Sequence, residues 1–371
     1  MTDMKKPRVC CIFNIGPHYD FPLYQAMGET FGCDFYLGDR LPYAIKTLNQ
    51  SQLTGFKKNL HNVFLQSFYW QRGALRLLFK PYQYYILNGE PFCLSTWIFL
   101  LLSKFTGKQV LGWTHGWYGR EGFIKSIIKR TFYRLFDKLL IYNEYSMHLL
   151  EQQGIASERM FCFANSLDSD RIKAVREQLT TSDIYQEHFG NNNPVLIYCG
   201  RIQKRKKLDM LVDCVERLKT AGTSVNLMMV GADDEDTGIA QLVEEKGLTK
   251  NVWFYGPCYE ESQLGAFFYN ADICISPGNV GLTAIHALSY GCPVITHGDF
   301  PYQMPEFEAI RPDKTGAFFK RDDTDDLTRV VASWLQEKKD CREQIRLQAY
   351  QEIDSKWNIH YQIEILKKVL A

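Results

Sequence analysis

Short apolar runs that end at glycine or proline alternate along this chain with segments whose apolar residues recur every three or four positions. In the first half the runs predict strands over 8–15, 34–37, 84–88, 109–113, 138–142 and 160–163, with helices over 19–27, from 92, and over 123–136. In the second half they predict strands over 195–199, 225–231, 252–255, 272–276 and 293–296. The intervening helices fall over 208–218, up to Gly247, and over 261–270 and 281–290, with a helical tail over 327–335 and 357–370. Repeated strand and helix predict an α/β protein with a parallel sheet in each half. The polar, turn-rich segment LTTSDIYQEHFGNNNP separates the halves, so the expected organisation is an N-terminal domain over 1–180, a linker over 181–194, a second domain over 195–355 and a C-terminal helix over 356–371 that packs back toward the first domain.

Two stretches depart from this rhythm. Residues 51–80 combine Phe56, Phe64, Leu65, Phe68, Tyr69, Trp70, Leu77 and Phe79 with five lysines and arginines and no acid, a mixture that suits a membrane interface. In 119–138, Phe123, Ile127, Ile128, Phe132 and Phe136 are expected to face inward, with Lys125, Lys129, Arg130 and Arg134 on a polar face. The run 92–102 is too short to span a bilayer and predicts a buried helix. Overall charge is +1, but the first 180 residues are net basic and the remainder net acidic. The eleven cysteines show no metal-ligand spacing and read as reduced core residues. The first sixteen residues are not patterned as a signal peptide, so the expected location is cytoplasmic, with peripheral contact at the inner face of the membrane. Nucleic acid is not an expected partner.

The chemistry gathers in the second half. In SPGNVGLTAIHALSYGCPVITHGDFPYQMPE, residues 276–306, a strand ends in a loop of small residues that opens a helix, and backbone N–H groups with the helix dipole suit an anion there. The run from Arg201 to Lys207 brings five cations to the end of one strand and the start of another helix, a setting for a diphosphate. His115 follows a first-half strand directly, where parallel sheets place ligands. The carboxylates from Asp233 to Asp236 read as a solvated turn rather than a metal site. No G-x-G-x-x-G follows the first strand, which speaks against a dinucleotide enzyme.

The series Tyr198-Cys199-Gly200-Arg201 with Lys206 and Leu208-Asp209, Val230-Gly231, Phe254-Tyr255-Gly256, Ala271-Asp272-Ile273, Gly281-Leu282 with Ala287, Gly291 to Thr296, Pro305-Glu306 and Thr315-Gly316 resembles the large fourth family of retaining glycosyltransferases. The resemblance implies the GT-B fold, α/β with two Rossmann-like domains facing across a cleft. It further implies a nucleotide-sugar donor on the C-terminal domain and a glycan acceptor on the N-terminal one, here a lipid-linked surface-polysaccharide precursor. By resemblance Arg201 and Lys206 act on the donor diphosphate and His115 lies near the transferred sugar. Tyr255, Gly256 and Pro257 would follow the base, and Gly16, Gly200, Gly278, Asn279, Val280, Gly281, Leu282, Thr283 and His286 would complete the donor site. No metal or other cofactor is implied. Relatives carry two glutamates eight positions apart, where this chain has Gly278 and His286. That departure keeps a second reading open, a non-catalytic GT-B protein that binds nucleotide sugars or acts as a scaffold.

Overall fold

The computed structural model describes residues 8–43 and 45–371, which divide into two units, Met1–Asp168 with Asn358–Ala371, and Ser169–Trp357. The first unit runs β1 (Val9–Phe13), α1 (Phe21–Phe31), β2 (Asp34–Gly38), β3 (Phe56–Leu65), β4 (Phe68–Arg72), α2 (Ala74–Leu77), β5 (Tyr84–Asn88), α3 (Leu94–Ser103), β6 (Gln109–Thr114), α4 (Phe123–Leu135), β7 (Lys138–Ile141), α5 (Glu144–Gln152) and β8 (Met160–Cys162). Its sheet has the order β4-β3-β2-β1-β5-β6-β7-β8 and is parallel except where β4 returns against β3. β1, between β2 and β5, is buried along its whole length, which is why VCCIF is apolar at every position.

Two expectations for this unit need correction, and one hairpin has no counterpart in the sequence reading. The stretch 51–80 contains the β3–β4 hairpin, hidden because an inward position of β3 is taken by Asn62, fully buried with its amide donating to the carbonyls of Asn14 and Arg40 at 2.8 and 2.9 Å. The segment from Phe92 is not a buried helix: α3 buries Ser95, Thr96, Phe99 and Leu100 but leaves Leu94, Ile98, Leu101 and Leu102 exposed. In α4 only the C-terminal half meets the core, through Phe132 and Tyr133 with Phe136 just beyond; Phe123, Ile127 and Ile128 are exposed.

The second unit runs α6 (Ser169–Arg176), α7 (Ile184–Phe189), β9 (Val195–Cys199), α8 (Leu208–Thr220), β10 (Asn226–Val230), α9 (Ile239–Glu245), β11 (Val252–Gly256), α10 (Glu261–Asn270), β12 (Ile273–Ser276), α11 (Leu282–Ser289), β13 (Val294–His297), β14 (Gly316–Phe319), α12 (Thr324–Glu337) and α13 (Arg342–Lys356). The order β11-β10-β9-β12-β13-β14 is parallel throughout, so chain direction across the sheet reverses between β9 and β12. Such a switch point opens a crevice at the carboxyl ends of the two strands. Residues 181–194 lie within this unit and hold α7, whose buried Tyr185 donates its hydroxyl to the Phe267 carbonyl at 2.8 Å. The last helix, α14 (Ile359–Val369), places Ile359, Ile363, Leu366 and Val369 in the core of the first unit with Leu23, Met27 and Phe31 of α1. Among the described residues no helix is long and apolar enough to cross a membrane.

Candidate active site

Two turns meet at the switch point. After β9, Gly200 takes φ +146°, a conformation open to glycine, and its N–H donates to the Val230 carbonyl at 2.9 Å. A short 3-10 turn, Lys204–Lys206, then leads into α8. After β12, Pro277-Gly278-Asn279 leads into α11. The turns clasp each other: Gly278 N–H donates to the Lys206 carbonyl at 3.0 Å, and Lys206 Nζ donates to the Asn279 carbonyl at 2.6 Å and to Asn279 Oδ1 at 3.1 Å. Gly278 is required by this approach, because a Cβ there would stand 2.3 Å from the Arg205 carbonyl oxygen. Thr283, in the first turn of α11, donates to the Cys199 carbonyl at 2.9 Å, and Gln303 fixes the loop by accepting the Val280 N–H at 2.7 Å. Gly281 is the N-cap of α11 and Leu282 its first residue, so the first-turn amides open beside Gly200 and Lys206.

The basic run does not act as one focused site. Lys207 pairs with Asp322, Arg205 bonds Gln203 Oε1, and Lys204 is exposed, whereas Lys206 turns inward. Burial lowers the Lys206 ammonium to about 8, the charges of Arg205 and Arg201 push the same way, and buried Glu306 opposes them. Arg201 is exposed and close enough for its charge to act on Lys206. The acidic turn after β10 is occupied by its own backbone, Asp233 accepting from the Thr237 N–H and hydroxyl. Among the described residues no group of three His, Cys, Asp or Glu side chains could hold a metal ion.

One turn along α11, His286 Nε2 lies 2.6 Å from Glu261 Oε1, which also accepts the Tyr290 hydroxyl at 2.7 Å. Burial would raise the Glu261 carboxyl, but the hydrogen bonds from His286 and Tyr290 outweigh it and the net shift is downward. Sequence reading missed Glu261; its place in the first turn of a helix that follows Gly256-Pro257 was the available signal. Tyr255 is half-exposed with its ring 4.7 Å from Phe267, and Gly256 takes φ +85° as the strand turns into Pro257.

The other two predicted residues belong to the first unit. His115 follows β6 with its ring 4.7 Å from Tyr142; its Nδ1 is buried and makes no hydrogen bond among the described residues. Burial, helped by Lys129, lowers the imidazole to about 4, so it is neutral at ordinary pH. Gly16 is buried between Leu37 and Leu48, where a Cβ would come within 2.8 Å of Leu37 Cδ1. Two carboxyls nearby in the chain order of this unit escaped the sequence reading. Glu90 accepts from Asn14 Nδ2 at 3.0 Å and from the Tyr69 hydroxyl at 3.2 Å, and Asp20 from the Tyr24 hydroxyl at 3.3 Å; burial raises both.

The model of the family described as Glycosyl transferases group 1 matches residues 181–352. The D-inositol 3-phosphate glycosyltransferase of Mycobacteroides abscessus is 30% identical over 154 residues, 39% of this chain and 32% of that enzyme. The chain therefore spans about a third of the length of that curated relative. Among solved structures, Anabaena HepE in complex with UDP aligns over 98% of this chain and 99% of its own, with a TM-score of 0.73 at 14% identity. A glycosyltransferase of Rickettsia africae aligns over 99% of this chain and 98% of its own, with a TM-score of 0.72 at 13% identity. Residues 181–352 are thus similar to the glycosyl transferases group 1 family, in a chain whose two mostly parallel α/β domains have the GT-B fold.

Proposed function

We propose that this protein is a retaining glycosyltransferase of the fourth-family type, moving a sugar from a nucleoside diphosphate to a glycan acceptor. The observation that carries the reading is the clasp between Lys206 and Gly278-Asn279 at the β9/β12 switch point, with the N-terminus of α11 beside it. As the bond between sugar and nucleotide breaks, charge builds on the leaving diphosphate. A fixed cation and helix amides stabilise that charge more than they stabilise the intact donor. In this reading Arg201 and Lys206 take the diphosphate, the amides after Gly281 take its remaining oxygens, Tyr255 to Pro257 follow the base, and no metal is called on. Neutral His115 acts on the sugar side as a hydrogen-bonding group rather than as a cation.

The acceptor in this reading is a lipid-linked precursor of a surface polysaccharide, met by a cytoplasmic protein in peripheral contact with the membrane. Its support is the basic and aromatic character of the first unit. Anabaena HepE binds UDP and UDP-glucose, so uridine diphosphate sugars head the donor panel, followed by guanosine ones. Turnover across that panel, with the anomer of the product read by NMR, is the test. An inverted product would exclude the retaining mechanism. Arg201→Ala and Lys206→Ala variants that turn over like the parent would exclude the assigned diphosphate site. A second reading, a non-catalytic nucleotide-sugar-binding or scaffolding subunit, is favoured by Gly278 and His286 standing where relatives have carboxylates; any donor turnover by the parent removes it.

A further inference from the structure

Thirteen of the nineteen large apolar side chains that stand exposed among the described residues lie between Leu65 and Ile128. Two neighbouring helices on one side of the first sheet hold most of them. α3 turns Leu94, Ile98, Leu101 and Leu102 outward, and Phe105 just past its end is 88% exposed. α4 packs beside it, with the Trp97 and Phe132 rings 4.8 Å apart. The free half of α4 adds Phe123, 81% exposed, Ile124, 72% exposed, and Ile127 and Ile128. Monomers rarely display so much contiguous apolar surface without a partner.

This half of α4 is held in place rather than frayed. Glu121, just ahead of the helix, accepts the N–H groups of Tyr118 and Gly119 at 3.0 and 2.9 Å and the Lys129 ammonium at 2.6 Å. The charge around the surface is one-sided. Residues 51–138 contain thirteen lysines and arginines and three acids. Those acids are already engaged: Glu90 by Asn14 and Tyr69, Glu121 by Lys129, and Asp137 by Lys104. Arg76, Lys80, Lys125 and Arg130 are left beside the apolar surface with no acidic partner among the described residues. A protein interface has a rim of mixed polar groups. An apolar surface edged by cations alone matches a layer that offers acyl chains below and phosphates above.

We propose that the outward face of α3 and the N-terminal half of α4 dock on an anionic phospholipid bilayer. Phe105, Phe123 and Ile124 enter the acyl boundary while Lys80, Lys125 and Arg130 meet the headgroups. The proposal deepens the reading of a lipid-linked acceptor, and its test leaves the donor site out of play. The full chain is floated with vesicles of phosphatidylglycerol and phosphatidylcholine, or of phosphatidylcholine alone, at low and high salt. The expected result is binding to the anionic vesicles at low salt that falls at high salt and with neutral lipid. The double variant F123S/I124S should lower the bound fraction about tenfold or more, and K125E/R130E should remove the salt-sensitive part. Both should keep the parent's affinity for UDP, which shows the second unit intact and separates failure here from failure of the donor reading. No flotation of the parent at low salt, or variants that bind as the parent does, would overturn the proposal. So would a parent that is dimeric by light scattering and becomes monomeric in F123S/I124S without having bound vesicles, since a second copy would then be the occupant.

Discussion

His286 Nε2 donates to Glu261 Oε1 at 2.6 Å, across helices whose paired residues are 25 positions apart in sequence. The bond joins a carboxylate on α10 to an imidazole on α11. With Nε2 donating, a neutral ring leaves Nδ1 as an acceptor, so imidazole and carboxylate together can receive the vicinal hydroxyls of a ribose. If the pair works as one unit, His286→Ala and Glu261→Ala should each weaken UDP binding about tenfold, the scale of a hydrogen bond to a charged group. The double variant should lose little more than either single one. Calorimetry on the four proteins decides: fully additive losses would mean two separate contacts, and unchanged affinities would return both residues to a structural role.

Gly278 stands where the two turns clasp each other, and the geometry gives a reason for its smallness. A Cβ there meets backbone on two sides, 2.3 Å from the Arg205 oxygen and 2.8 Å from Lys206 Cα. Gly278→Ala should therefore cost about 1–3 kcal/mol in urea unfolding, as overpacking does, and loosen UDP binding by parting the turn that holds Lys206. Gly278→Glu should do no better, although it adds a carboxylate to the turn. Recovery of activity in that variant would show that the close approach of the two turns is dispensable.

Most of the fold could be read from the chain because its central strands are apolar on both faces. VCCIF, VLIYC and ICIS announce β1, β9 and β12 with no help from tertiary context. The glycine turn after β12 was equally visible, since small residues ahead of a helix have few other uses. What stayed hidden depended on partners distant in sequence. Asn62 breaks the alternation of β3 because the carbonyls it satisfies belong to Asn14 and Arg40. LSTWIFLLLS is apolar around nearly its full circumference, so periodicity could not say that α3 keeps one face in solvent. The run Arg201 to Lys207 looked like one positive site, but Asp322 removes Lys207 from it and the turn directs Lys206 alone inward. Glu261 gained its role only when α10 and α11 packed together.

The depressed Lys206 ammonium gives donor binding a pH dependence of definite sign. The free protein holds this cation below about pH 8 and loses it above. A bound diphosphate favours the charged form and so raises the pKa of the complex. Affinity for UDP should thus be flat below pH 7.5 and weaken as pH rises through 8, approaching tenfold per unit until the pKa of the complex is passed. Lys206→Arg remains charged throughout, and its affinity, whatever its absolute value, should stay level between pH 7 and 9.5. Parallel profiles for parent and variant would place the titrating group elsewhere.

Asp20 makes a corresponding prediction for stability in the first unit. Burial raises its carboxyl from 3.8 to about 7, and the bond from Tyr24 offsets only part of the rise. In the folded chain the proton is held up to about 7, whereas the unfolded chain releases it near 3.8. Between these values the unfolded state carries fewer protons, so stability falls as pH increases. The contribution is fully present below the lower value and is lost as pH rises through the upper one. Asp20→Asn cannot ionise and should remove this slope. The difference in urea midpoint, parent minus variant, should become steadily less favourable to the parent from pH 4 to pH 8, leaving the variant ahead at the alkaline end relative to its standing at pH 4. A difference independent of pH over that range would mean that Asp20 is solvated and ionised in the folded protein.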